Sequence, residues 1–262
     1  MIGSRPTRAR WSDRRGITEV LSFVLVFAIV FLSVLLVGVG GFGAISEYQE
    51  HERLASAQLA IETFAENGND LARSDGVTDR TGALGLQTGT VSPGERGTTL
   101  NVTVFDDDGD AWNWSEDYPD EDLGAFAYRT GSEAIVYEGG GVFRTGGDGS
   151  SAVVSDPMIT CRENVAVITL VKLTHDDRTI QSDQRLTFAL EQDRANTTRA
   201  YYDEAENVTI EIEGGPSSGG WEMFFENEER WTFDEDDERW ACASDRVSID
   251  VVEIGIDYSE LE

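Results

Sequence analysis

The sequence predicts an N-terminal transmembrane helix extended by an amphipathic helix, then a mainly antiparallel, sandwich-like β domain with one short helix. Three observations lead there. Val20 to Ser46 runs 27 residues without a charged side chain. Ala44 to Arg73 repeats apolar residues at the three- and four-residue steps of a helix. From Ala83 onward the period falls to two, in short runs separated by Gly, Asp and Ser. The boundaries that follow are a basic stub or leader at 1–16, a span at 17–46, an outer helix at 47–73 and an acidic β domain at 74–262.

The span comes first. VLSFVLVFAIVFLSVLLVGVGGFGAI is rich in Val, Leu, Ile and Phe on every side. A helix that is apolar all round belongs in a bilayer or at the centre of a large protein. At about 1.5 Å per residue the run is about 40 Å long, more than a ~30 Å hydrocarbon core requires. Residues 1–16 carry Arg5, Arg8, Arg10, Arg14 and Arg15 against Asp13, a net +4, whereas the far flank opens with Glu47, Glu50 and Glu52 against Arg53. The positive-inside rule puts the N-terminus in the cytoplasm and everything after Ser46 outside. A cleaved secretory signal has an apolar region of about 7–15 residues, too short to match. Gly38, Gly40, Gly41 and Gly43 close the run, and their poor helix propensity predicts a kink or break near Gly40.

Arg14-Arg15-Gly16 followed by Ile17-Thr18-Glu19 resembles a type IV prepilin processing site. That resemblance implies a cut after Gly16, with the apolar helix kept in the mature protein. Bacterial pilins carry Glu at the fifth mature position; here Leu21 stands there and Glu19 is third. An uncut single-span anchor is the alternative, because charge bias and apolar length alone account for the segment. In an assembly, the helix contacts would lie on Phe23, Val26, Val30, Val34 and Val37 or a neighbouring stripe.

The outer helix, AISEYQEHERLASAQLAIETFAENGNDLAR, continues the span, and Asn67-Gly68-Asn69 predicts its end or a break. Alternating strands follow at 98–105, 125–129, 133–137, 164–173, 184–190, 207–213 and 246–252, the second and third joined by a Thr-Gly-Ser turn. SGGWEMFFENEE, 218–229, reads as the short helix, with Trp221, Phe224 and Phe225 on its apolar side. About 190 residues suffice for one core. Taken together, the prepilin-like start, the helix ending in AIETFAENGNDL and the EAIVYEGGGVFR hairpin resemble an uncharacterised family of haloarchaeal, membrane-anchored pilin-like proteins. The resemblance implies architecture and a cell-surface location and brings no catalytic residues.

Composition points the same way. Asp and Glu number 50 against 20 Lys and Arg, of which only Lys172 is a lysine. Such acidic, Lys-poor surfaces resemble those of extreme halophiles, where a Debye length of about 3 Å at molar salt screens self-repulsion. Without a basic patch outside the N-terminal stub, nucleic acid is excluded as a partner. The expected partners are membrane lipid and other pilin-like subunits or envelope proteins. Cys161 and Cys242, both external in this topology, can form one disulfide; two separate buried thiols are the alternative. Asn101, Asn113, Asn196 and Asn207 open N-x-Ser/Thr sequons compatible with N-glycosylation.

Motifs for chemistry fail on inspection. Aligning Gly109 of the acidic run 106–110 to the sixth position of an EF-hand places Val104 first and Ser115 twelfth, neither a suitable ligand there. Acidic runs at 106–110 and 234–238 therefore read as solvated turns. Gly215-Pro-Ser-Ser-Gly219 matches the G-x-S-x-G elbow, but His51 and His175 both precede Ser217, the wrong order for that motif. Two histidines 124 positions apart give no zinc-spaced cluster. Trp112 and Trp114 share one side of any strand, beside a sequon, and a ligand-binding role for them is the remaining alternative to core packing. The expectation is a non-enzymatic surface protein without a cofactor; an uncut anchored binding module comes second and an extracellular hydrolase third.

Overall fold

A computed structural model describes residues 15–86, 89–106, 109–113, 122–174, 179–182 and 185–260. The chain divides into two compact units, Met1–Gln49 and Glu50–Glu262. Helix α1 (Arg15–Arg73) begins in the first unit and ends in the second.

In the first unit, Val20–Gly38 forms a 19-residue helical stretch in which no residue is buried. Phe23 and Val37, for example, are 72% and 74% exposed. The expected break near Gly40 is not found, since 38–43 stays helical. Each glycine costs about 1 kcal/mol of propensity, but a helix seeded on both sides keeps its hydrogen-bond ladder through them.

The second unit is a three-sheet β domain. One sheet holds, in spatial order, β1 (Asp79–Gly85), β12 (Arg185–Tyr202), β16 (Val247–Glu260), β10 (Val165–Thr174) and β9 (Ile159–Arg162). Another orders β11 (Ile180–Ser182), β2 (Gly89–Glu95), β5 (Ala125–Thr130), β6 (Glu133–Glu138), β7 (Gly141–Gly146) and β8 (Ser151–Ser155). The remaining sheet runs β14 (Thr232–Asp234), β15 (Arg239–Ala243), β13 (Ala205–Glu213), β3 (Thr99–Asp106) and β4 (Gly109–Asn113). Pairing is antiparallel except for β10 with β16, which run parallel with Leu170 opposite Val251. The short helix is α2 (Ser218–Asn227). The strand expected at 184–190 extends to Tyr202, with a bulge between Asp193 and Thr198. Asp193 holds that bulge, its Oδ1 accepting from Ala195 N at 2.9 Å and its backbone carbonyl from Thr197 Oγ1 at 2.8 Å.

Two cores sit on opposite faces of the central strands. Along β10, Ala166, Ile168 and Leu170 face one core and Val171 and Leu173 the other; β16 divides likewise between Val251 and Val252. Side chains alternate faces along a strand, so two adjacent buried residues mark the point where burial changes sides. The first core is built around α1, whose Leu54, Ala57, Ile61, Phe64, Leu71 and Ala72 follow helical spacing. Phe64 is its centre, stacking on Phe126 at 4.3 Å and meeting Phe188 and Tyr137 edge-on. The second core joins β3, β13, β10 and β16 to the aromatic side of α2.

The break expected at Asn67-Gly68-Asn69 is also absent, because α1 continues to Arg73. These residues form a packing notch instead. Gly68 lies under Tyr137, whose Oη a β-carbon there would meet at 2.7 Å. Asn69 accepts from Tyr137 Oη at 2.9 Å and donates to Gly140 O at 2.9 Å.

Candidate functional site

Two regions depart from what a plain β domain needs. One is the exposed apolar stretch Val20–Gly38, long and apolar enough to cross a membrane. Of the residues expected to form a processing site, Arg14 lies outside the described residues. Arg15, Gly16, Ile17 and Glu19 fall within α1, and their side chains lie outside the described set.

The other region surrounds α2. Its N-terminus is set by Ser217, whose carbonyl accepts from Gly220 and Trp221 N–H at 2.8 and 3.0 Å. Trp221, Phe224 and Phe225 point inward, and Phe225 stacks on Trp240 at 5.7 Å and meets Trp231 at 5.0 Å. The opposite side of α2 contributes Glu222 and Glu226 to a depression of about 490 Å³, completed by Ile212, Phe233, Glu238 and Trp240. Beneath α2, Trp221 donates its indole N–H to the fully buried Glu138 at 2.7 Å. Burial drives the Glu138 carboxyl above the usual carboxylate range, against the opposing pull of Thr98, Trp221 and Ser217. Nothing local in the sequence marks this group: Glu138 looks like the polar end of a strand before a glycine turn. Its one signal is position, opposite the small residues Ala125 and Gly141 on the flanking strands.

Cys161 on β9 and Cys242 on β15 are bonded, tying the parallel-containing sheet to the β13–β15 sheet. Three sequon asparagines share one face of the latter. Asn113 pairs opposite Thr103, Asn101 opposite Glu211 and Asn207 opposite Phe105, all in the register of one side. Asn196 stands apart in the exposed bulge of β12, donating to Asp193 Oδ2 at 3.0 Å.

The remaining candidates do not converge. Ser217 of the G-x-S-x-G pattern is fully buried and beyond the reach of a substrate. His175 lies outside the described residues, as does the His51 side chain. Of the run 106–110, Asp106 pairs with Gly109 in the β3–β4 hairpin, while Asp107 and Asp108 lie outside the described residues. Run 234–238 is the β14–β15 turn, with Asp234 Oδ1 accepting from Asp236 N at 3.1 Å. Trp112 is half-buried on β4, and Trp114 lies outside the described residues. Among the described residues, no three His, Cys, Asp or Glu side chains are grouped to hold a metal ion.

No curated protein and no solved structure matches the chain. A family model does match, over residues 15–257, and it is described as a family of unknown function, DUF7289. The match takes in α1 and every strand to within a few residues of the end of β16, so the chain belongs to the DUF7289 family.

Proposed function

We propose that this protein is a membrane-anchored, extracellular, pilin-like subunit of a halophilic archaeon, with a structural or assembly role at the cell surface. Its N-terminus is cytoplasmic, its leader is cut after Gly16, and its β domain lies outside. The observation that carries the reading is α1: one helix has an apolar stretch exposed on all sides, and its later turns supply the centre of a folded core. The five arginines before Gly16 and the glutamates after Ser46 support the orientation. The disulfide supports an oxidising compartment. The net charge of -30 supports a high-salt surroundings. The partners are lipid and further subunits of the same kind, meeting through the Phe23, Val26, Val30, Val34 and Val37 side of the helix. No catalysis enters this reading.

Mass spectrometry of the mature N-terminus from native membranes tests it. A protein starting at Ile17 is the expected result. An intact N-terminus retaining Arg5 to Arg15 would overturn the subunit reading and favour an uncut anchor that presents a binding domain.

A further inference from the structure

Among the described residues, Glu138 carries the one fully buried carboxyl of the β domain. It ends β6, which is paired on one side with β5 and on the other with β7. Oε1 accepts from Trp221 Nε1, but Oε2 makes no hydrogen bond of good geometry. The hydroxyls of Thr98 and Ser217 lie beside the carboxyl, equally buried, and pull weakly on it without meeting it in good hydrogen-bond geometry.

No charge on the surrounding elements answers it among the described residues. On β5, Arg129 is paired with Glu95 of β2; on β7, Arg144 is paired with Glu133. Asp122, before β5, accepts from the N–H groups of Gly97 and Gly124. Tyr137, the next residue along β6, turns to Asn69. On α2, Glu222 and Glu226 are exposed. An ionised carboxylate with only neutral neighbours in such a site is strongly disfavoured, and a group so placed takes up a proton instead.

We propose that Glu138 is a proton-controlled latch for α2. While the carboxyl is neutral, α2 and the segment leading into it stay seated; when it ionises, they are released. The release falls on α2 because β6 is hydrogen-bonded along both edges, whereas α2 is reached through Gly214 and Gly215. Both glycines have positive φ, 65° and 124°, a conformation glycine adopts without strain, and the latch takes this pair as its hinge. Gly215 lies so close to Thr98 that a β-carbon would stand 2.4 Å from its Cα, so moving this segment also admits water to the carboxyl and the hydroxyls beside it. Because α2 supplies Glu222 and Glu226 to the depression with Phe233 and Trp240, release reshapes that surface as well.

The sign follows from linkage. A carboxyl whose proton is held more tightly in the seated state favours that state fully below its ordinary value and loses the favour as pH rises above it. Hydrogen–deuterium exchange of the full chain in detergent, corrected for intrinsic base catalysis, reads this directly. Between about pH 5 and about pH 9, protection of the 218–227 amides should fall by about tenfold or more, the equivalent of one pK unit. Amides of β10 and β16 should hold their protection. Glu138→Gln, which keeps the neutral shape and the acceptor for Trp221, should abolish the fall. A wild-type profile that is flat, or an identical fall in the variant, overturns the latch. Infrared spectroscopy of the wild-type chain gives a second readout that does not depend on the variant folding. A neutral-acid carbonyl band should be present at neutral pH and vanish over the same range in which α2 loses protection. Absence of that band at neutral pH also overturns the latch.

Discussion

Gly68→Ala offers a test in which two principles predict opposite signs. In an open helix, alanine is favoured over glycine by about 1 kcal/mol, so the substitution would stabilise the chain. At Gly68 the new carbon would lie 2.7 Å from Tyr137 Oη and 3.3 Å from Cζ. Tyr137 cannot retreat, because it is fully buried, bonded to Asn69 and packed edge-on against Phe64. Forcing an extra methyl into a packed core costs about 1–3 kcal/mol. Displacing the phenol also loses its bond to Asn69, about 1 kcal/mol, which cancels the propensity gain. The net expectation is a destabilisation of about 1–3 kcal/mol. Urea unfolding of the full chain in detergent, followed by tryptophan fluorescence, should show a lower midpoint at unchanged slope. Tyr137→Phe removes the clashing oxygen, so in that background Gly68→Ala should be neutral or favourable. An equal gain from Gly68→Ala in both backgrounds would refute the notch and leave ordinary helix propensity as the governing effect.

Two further outcomes follow from the fold. Reducing the Cys161–Cys242 bond frees a separation of 81 residues, for which the chain-entropy expression gives about 4.5 kcal/mol of lost stability; an unchanged urea midpoint under reductant would contradict it. A net charge of -30 should make the melting temperature climb as NaCl is raised from about 0.1 M to molar concentrations, since the Debye length shrinks from about 10 Å to about 3 Å; a flat or falling profile would remove the halophilic reading.

The legible parts of this chain are those in which one local rule acts alone. The apolar stretch after Val20 needs only length and composition to be read, and β5 and β6 need only their alternation and the turn between them. Where two rules compete, sequence reading follows the local one. Asn67-Gly68-Asn69 has the composition of a helix end, yet the loss of propensity is offset by what Gly68 and Asn69 make possible, a buried phenol held at its oxygen and its ring. Leu170-Val171 and Val251-Val252 look like interruptions of a two-residue period. They are aligned neighbours in the parallel pair, Leu170 opposite Val251 and Val171 opposite Val252, and mark where both strands change the core they serve.

Glu138 is illegible for a different reason. A strand-end glutamate in a chain with 50 acidic residues carries no local signal, since most of its fellows are solvated. What separates it is non-local: Trp221, 83 residues away, closes over it, and Ala125 and Gly141 on the flanking strands bring no charge to meet it. The acidity that marks the surface thus conceals the one fully buried carboxyl among the described residues. Surface charge that keeps the exterior hydrated should respond to salt. The proton on Glu138 should not, because ions that screen the surface cannot enter a closed site. A pH-dependent opening of α2 that persists unchanged at high salt would therefore separate the buried proton from the acidic exterior, whereas an opening abolished by salt would assign it to surface repulsion.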